Sequence, residues 1–128
     1  MFTISQLNIS NQIKKLFTPD SIIMFTKIIS IYVLTFLIFY KIENKNIRLI
    51  FTSLIYLFCI HLFNIDINMV IFYIFIAIGC AVTESIYITF CKDTWNYRNP
   101  DIINIPYWLI PLWSVAFLLI IETVNILK

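Results

Sequence analysis

With nine basic residues, seven acidic residues, one histidine and three cysteines in 128 positions, this chain has few side chains able to do chemistry. Glu84 is the foremost of them. It stands at the end of an uncharged stretch that begins at Ile67, about four turns into a helix. An acid costs roughly 2.5–3.5 kcal/mol near a bilayer centre and less near its edge. Ala77, Cys80, Ala81, Glu84 and Ser85 recur at spacings of three and four, so they share one helical face. Small-residue faces are the ones that membrane helices press against a neighbour, which predicts that Glu84 points into the bundle. As a functional group it would contact a ligand or hold a proton. As a structural group it would pair with Arg48, Arg98 or a helix N-terminus, and Arg48 lies at the start of a helix on the matching side. The structural pairing is the favoured reading.

A second set, Lys27, His61 and Glu122, belongs to the opposite membrane surface by the same topology. A Lys27–Glu122 pair could form there, or each group could be solvated, with the Lys27 ammonium reaching the headgroups along its apolar stem. Other chemistries lack their residues. One histidine excludes a His-rich metal site, and Cys59, Cys80 and Cys91 have no zinc-ligand spacing and read as small apolar residues. The single glycine, Gly79, excludes Gly-rich phosphate loops, and neither a G-x-S-x-G elbow nor a T-V-G-Y-G filter occurs. The chain is therefore read as a non-enzyme without metal or cofactor.

The elements that must position these residues follow from composition. Apolar residues make up 61% of the chain and charged residues 12%, against soluble norms of about 45–50% and about 25%. A soluble domain this small cannot hide that much apolar surface. A net charge of +2 gives no basic stripe, so nucleic acid is excluded as a partner. A transmembrane helix needs about 20 largely apolar residues. The charge-free stretches predict an all-α, polytopic bundle of four antiparallel helices near 21–40, 47–63, 69–90 and 106–127, within a transmembrane domain spanning 19–128. Residues 1–18 read as an amphipathic segment whose Phe2, Ile9, Ile13, Leu16 and Phe17 form one stripe suited to the headgroup region. Pro19-Asp20-Ser21 marks a helix start, with Asp or Ser as the cap. The first two connections are short, so helices 1–2 and 2–3 should be antiparallel neighbours. The third, 91–105, should lie in the interface or fold back on the bundle. Basic residues in the interhelical loops favour a cytoplasmic first and third loop.

That third connection leads into Trp95-Asn96-Tyr97-Arg98-Asn99-Pro100-Asp101 and then Ile105-Pro106-Tyr107-Trp108-Leu109-Ile110-Pro111-Leu112-Trp113. Asn99-Pro100-Asp101 is turn chemistry, and the aromatics suit a belt at one membrane surface. Pro106 is tolerable in a first helical turn, whereas Pro111 should kink or restart the helix. Thr83-Glu84, Trp95-x-Tyr97, Pro100-Asp101 and Trp108-Leu109 together resemble the C-terminal region of the Insig family. A wider set of small polytopic proteins with an E…W-x-Y…I-P-x-W-L…W pattern is also similar. The resemblance spans about 30 residues. It implies an endoplasmic-reticulum membrane protein that binds a sterol or other lipid and partner membrane proteins. Insig proteins have six helices where this chain has room for four. Glu84 stands about where the family carries Gln, and Pro111 is displaced by one position.

The expectation is an integral multi-pass membrane protein that binds a lipid-like ligand or a partner membrane protein. Its polar pocket is drawn from Glu84, Arg48, Trp95, Tyr97, Arg98 and Trp108. A proton- or ion-coupled small carrier or channel is the alternative from another class, with Glu84 titrating. A structural component of a viral membrane is a third, in keeping with the small size and the AT-rich codon bias behind 29 isoleucines.

Overall fold

A computed structural model of the chain describes residues 9–11, 13–15, 17–91 and 95–126. Four helices follow one another: α1 (Pro19–Lys41), α2 (Lys45–Leu62), α3 (Ile67–Phe90) and α4 (Leu109–Ile126). All four are long and apolar enough to cross a membrane. Large apolar side chains such as Phe36, Leu57, Phe75 and Phe90 are exposed on their outer faces. The chain exposes 9056 Å², against about 7,100 Å² for a soluble monomer of its mass. With so many large apolar side chains on that surface, lipid is the solvent that suits it. The protein is an all-α, four-helix integral membrane protein.

Each helix end has a local cause. Thr18, rather than Asp20 or Ser21, caps α1, accepting the Ser21 amide at 3.3 Å, while Pro19 takes the first helical position where no amide is needed. Asn44 caps α2 by accepting the amides of Asn46 and Ile47. At the other end of α2, Asn64 adopts φ 57°, and Ile65 and Asn64 donate to the carbonyls of Ile60 and His61. That is a Schellman closure with Asn at the left-handed position. Asp66 then caps α3 through the Asn68 amide at 3.0 Å. The fourth helix starts three residues later than the sequence predicts. Pro111 stands in its first turn, where a missing amide breaks no intrahelical bond, so the proline starts the helix instead of kinking it.

α4 is the hub, packing most extensively on α3, then on α2, and also touching α1. The sequence predicts α2 and α3 as neighbours, but they contact each other far less than either contacts α4. The small-residue face of α3 explains the difference. Ala77, Ala81 and Ser85 are buried, and small side chains let a second helix approach closely. α4 takes that position. Tyr56, which donates to the Val70 carbonyl at 2.9 Å, ties α2 to α3 at their linked end. One core combines Ile28 and Ile31 of α1, Ile55 and Cys59 of α2, Tyr73 of α3 and Leu118 and Leu119 of α4. A second lies toward the third connection, around Ala81, Ile88, Ile105, Trp108 and Leu109. Buried Thr52 and Ser114 donate to carbonyls one turn back, so neither brings an unpaired polar group into the bilayer.

The stretch before α1 is helical at 9–11 and 13–15, with Ile9, Ile13 and Phe17 exposed. Phe2 and Leu16, the other members of the predicted stripe, lie outside the described residues.

Candidate functional site

Residues 95–105 of the third connection fold back as a cap over one end of the bundle, and three anchors hold them there. Asp101 accepts the Tyr107 amide at 2.9 Å and forms an ion pair with Lys45 at 2.6 Å, joining the cap to the first turn of α2. Lys45, followed by the Tyr107 amide, holds the Asp101 carboxyl below the usual carboxylate range. The second anchor is a tight turn at 102–105, where the amides and carbonyls of Ile102 and Ile105 bond reciprocally. Both central residues have positive φ, Ile103 at 40° and Asn104 at 66°. Ser85 of α3 donates to the Ile103 carbonyl at 2.5 Å, and the Asn104 amide group donates to Thr89 at 3.1 Å. A β-branched residue in the left-handed region is uncommon, and these two bonds to α3 hold it in place.

Glu84 is the third anchor. Its Oε1 accepts the Trp95 indole N–H at 3.0 Å and the Tyr97 hydroxyl, and its Oε2 accepts the Trp113 indole N–H at 3.2 Å. One half-buried carboxylate thereby joins α3, the cap and α4. All three donors are neutral. Bonds to a charged acceptor contribute more than neutral ones, and the donors supply the solvation that an apolar setting denies the carboxylate. Burial, then the hydrogen bond and charge of Glu84, push the Tyr97 phenol well above its ordinary value, so it remains a donor far into the alkaline range. Trp95 also stacks on Tyr87 at 5.5 Å between centroids.

Arg48 does not pair with Glu84. Its Nε donates to the Ile42 carbonyl and an Nη donates to the Phe39 carbonyl at 3.0 Å. Its guanidinium also lies 5.0 Å from the Phe39 ring centroid and 5.5 Å from that of Trp108. The last carbonyls of α1 lack helical donors, and a cation there complements the helix dipole. That demand is closer to Arg48 in the chain than Glu84 is. Arg98 is exposed and has no ion pair among the described residues. Trp108 is buried, edge-on to both Phe39 and Tyr97. The structure thus gathers Glu84, Trp95 and Tyr97 in one knot and sets Arg48 and Trp108 beside it, on the far side of Tyr97. Lys27, His61 and Glu122 form no ion pair with one another among the described residues, and His61 is exposed at the end of α2.

The knot closes one end of a groove of about 850 Å³ along α3 and α4. Phe75, Ile76, Gly79, Cys80 and Tyr87 line it, with Trp95 and Trp113 beside Glu84. It is open along its side to the bilayer, since Phe75, Tyr87 and Trp95 in its lining are exposed. Gly79 opens it, since a Cβ there would meet nothing within 4 Å. The Thr83 hydroxyl is engaged by the Gly79 carbonyl, so Glu84 is the charged group on an otherwise apolar lining. Comparison of the chain with protein-family models, curated proteins and solved structures gives no match.

Trp113 is the member of the knot that the sequence alone places only in the aromatic belt. Its signal was positional, because a helix restarted at Pro111 puts Trp113 in its first turns, level with the far end of α3. Ser85, Thr89 and Asn104 carry no such signal, because the turn they hold closes on Ile103-Asn104, a pair without glycine.

Proposed function

We propose that this membrane protein is a non-enzymatic binder of a lipid-like amphiphile whose apolar body lies in the groove along α3 and α4. The observation that carries the reading is the set of hydrogen bonds on Glu84 at the groove's end. An ionised carboxylate can accept about four hydrogen bonds. Three are filled from the protein, two on Oε1 and one on Oε2. The remaining acceptor site selects a ligand ending in a neutral donor, such as a hydroxyl or amide, and disfavours an anionic head. The Insig-like pattern at Trp95, Tyr97 and Trp108 supports the same ligand class and an endoplasmic-reticulum membrane.

Native mass spectrometry of protein purified in mild detergent tests the proposal. The expected result is one retained amphiphile per chain, lost in Gly79→Leu, which projects a branched apolar side chain into the open space at the groove's centre. Equal retention by wild type and Gly79→Leu would overturn it.

A further inference from the structure

A second cavity lies across Tyr97 from the groove. It encloses about 190 Å³ between the first connection and the cap, and its walls include Glu43, Lys45, Arg48, Arg98, Asn99 and Trp108. That is below the size of a site for a whole ligand and suits a small polar group. Three of these residues are cations and Glu43 is the lining carboxylate. Asp101 takes up the charge of Lys45 at 2.6 Å, and with Glu43 counted as well one full positive charge remains among the described residues. Arg48 is half-buried and two of its N–H groups go to carbonyls, which leaves three of its five donors and its whole charge without a carboxylate among the described residues. Arg98 has no ion pair there either. Two guanidiniums, one fixed by stacking and carbonyl bonds and one free to close, are the residue type that binds phosphoryl oxygens in a planar fork.

We propose that this cavity binds the phosphodiester of an anionic phospholipid at the membrane surface, a headgroup that carries no cation of its own to neutralise it. A monoanion balances the residual charge. Basic pockets between helices on a cytoplasmic face are where such headgroups are held, and the loop charges favour that side for the first and third connections. Arg48 anchors the phosphoryl group, Arg98 closes over it, and Trp108 forms the apolar floor. The site does not depend on the groove: its ligand is anionic, and the groove's end is an anion.

The test is binding to the full chain in detergent, read by native mass spectrometry with dimyristoyl phosphatidylglycerol and dimyristoyl phosphatidylcholine as probes. Phosphatidylglycerol is expected to bind one per chain and more tightly than phosphatidylcholine. Arg98→Gln, which breaks no hydrogen bond or ion pair among the described residues, is expected to weaken it about fivefold, the worth of one cation near an anionic surface. Arg98→Lys, which keeps the charge but loses the planar fork, should recover only part of that, and Lys41→Gln, on the same face but outside the cavity, should change nothing. Soluble glycerophosphoglycerol separates the sources: displacement shows that the cavity takes the phosphoryl group from solution as well, and persistence with Arg98 dependence shows that it takes it from lipid. Gly79→Leu should leave this binding intact, so failure of the groove reading is seen separately. Equal affinity for the two lipids, equal losses in Arg98→Gln and Lys41→Gln, or loss in Gly79→Leu would each overturn the proposal.

Discussion

Replacing Glu84 with Gln changes the charge of the knot while keeping its shape. Hydrogen bonds to a charged group contribute roughly 1.5–3 kcal/mol and those between neutral groups roughly 0.5–1.5. The retained amide oxygen can still accept Trp95 and Tyr97, each at about 1 kcal/mol less. The amide nitrogen then faces the Trp113 N–H, donor against donor, and the 3.2 Å bond is lost. A neutral amide is easier to hold in an apolar setting than a carboxylate, which offsets part of this. The net expectation is a loss of about 2 kcal/mol, with Glu84→Ala losing more because all three donors are orphaned. Unfolding in mixed micelles by SDS titration, followed by circular dichroism, measures both. Double-mutant cycles should give coupling above about 0.5 kcal/mol between Glu84→Gln and Trp113→Phe, and less than that between Glu84→Gln and Arg48→Gln. Unchanged midpoints in both Glu84 variants, or coupling to Arg48 without coupling to Trp113, would refute the knot.

Ala81→Leu should overpack the face of α3 that meets α4 and the cap, costing about 1–3 kcal/mol in the same titration. Ile103→Asn should stabilise by about 1 kcal/mol, because Ile103 is 67% exposed and holds a φ of 40° that suits Asn far better. Asp101 has a lowered folded value, so its contribution is complete above the ordinary carboxylate value and is lost as pH falls from there through the lowered one. Acid titration of the folded fraction should therefore show that loss in wild type and lack it in Asp101→Asn. Tyr97 has the opposite sign: its raised value gives stability that is complete below pH ~10 and declines as pH rises through the folded value. Tyr97→Phe should remove that alkaline limb from the unfolding midpoint.

Helix number and rough limits were legible because charge-free stretches near 20 residues have one meaning in a bilayer. The α3 face was legible too, since Ala77, Ala81 and Ser85 keep helical spacing whatever their partner is. Which helix fills that face was not, because short loops argue for α2 while close packing belongs to α4. Glu84 was legible as a group needing partners inside the bundle. Its partners were not, because charge suggests a cation, whereas the nearby donors are indole and phenol groups. Arg48 shows the converse: helix-end carbonyls satisfy a guanidinium as well as a carboxylate does, and sequence spacing marks them less plainly.

The groove itself is tested most directly by where a bound amphiphile lies. A hydroxyl-ended lipid bearing a diazirine in its chain, added below one equivalent to protein in detergent and photolysed, can be mapped by peptide mass spectrometry. The expected adducts fall on the groove lining, at Phe75, Ile76, Cys80 and Trp113, and disappear in Gly79→Leu. Adducts spread evenly over the exposed face of α1, and unaffected by Gly79→Leu, would contradict the account.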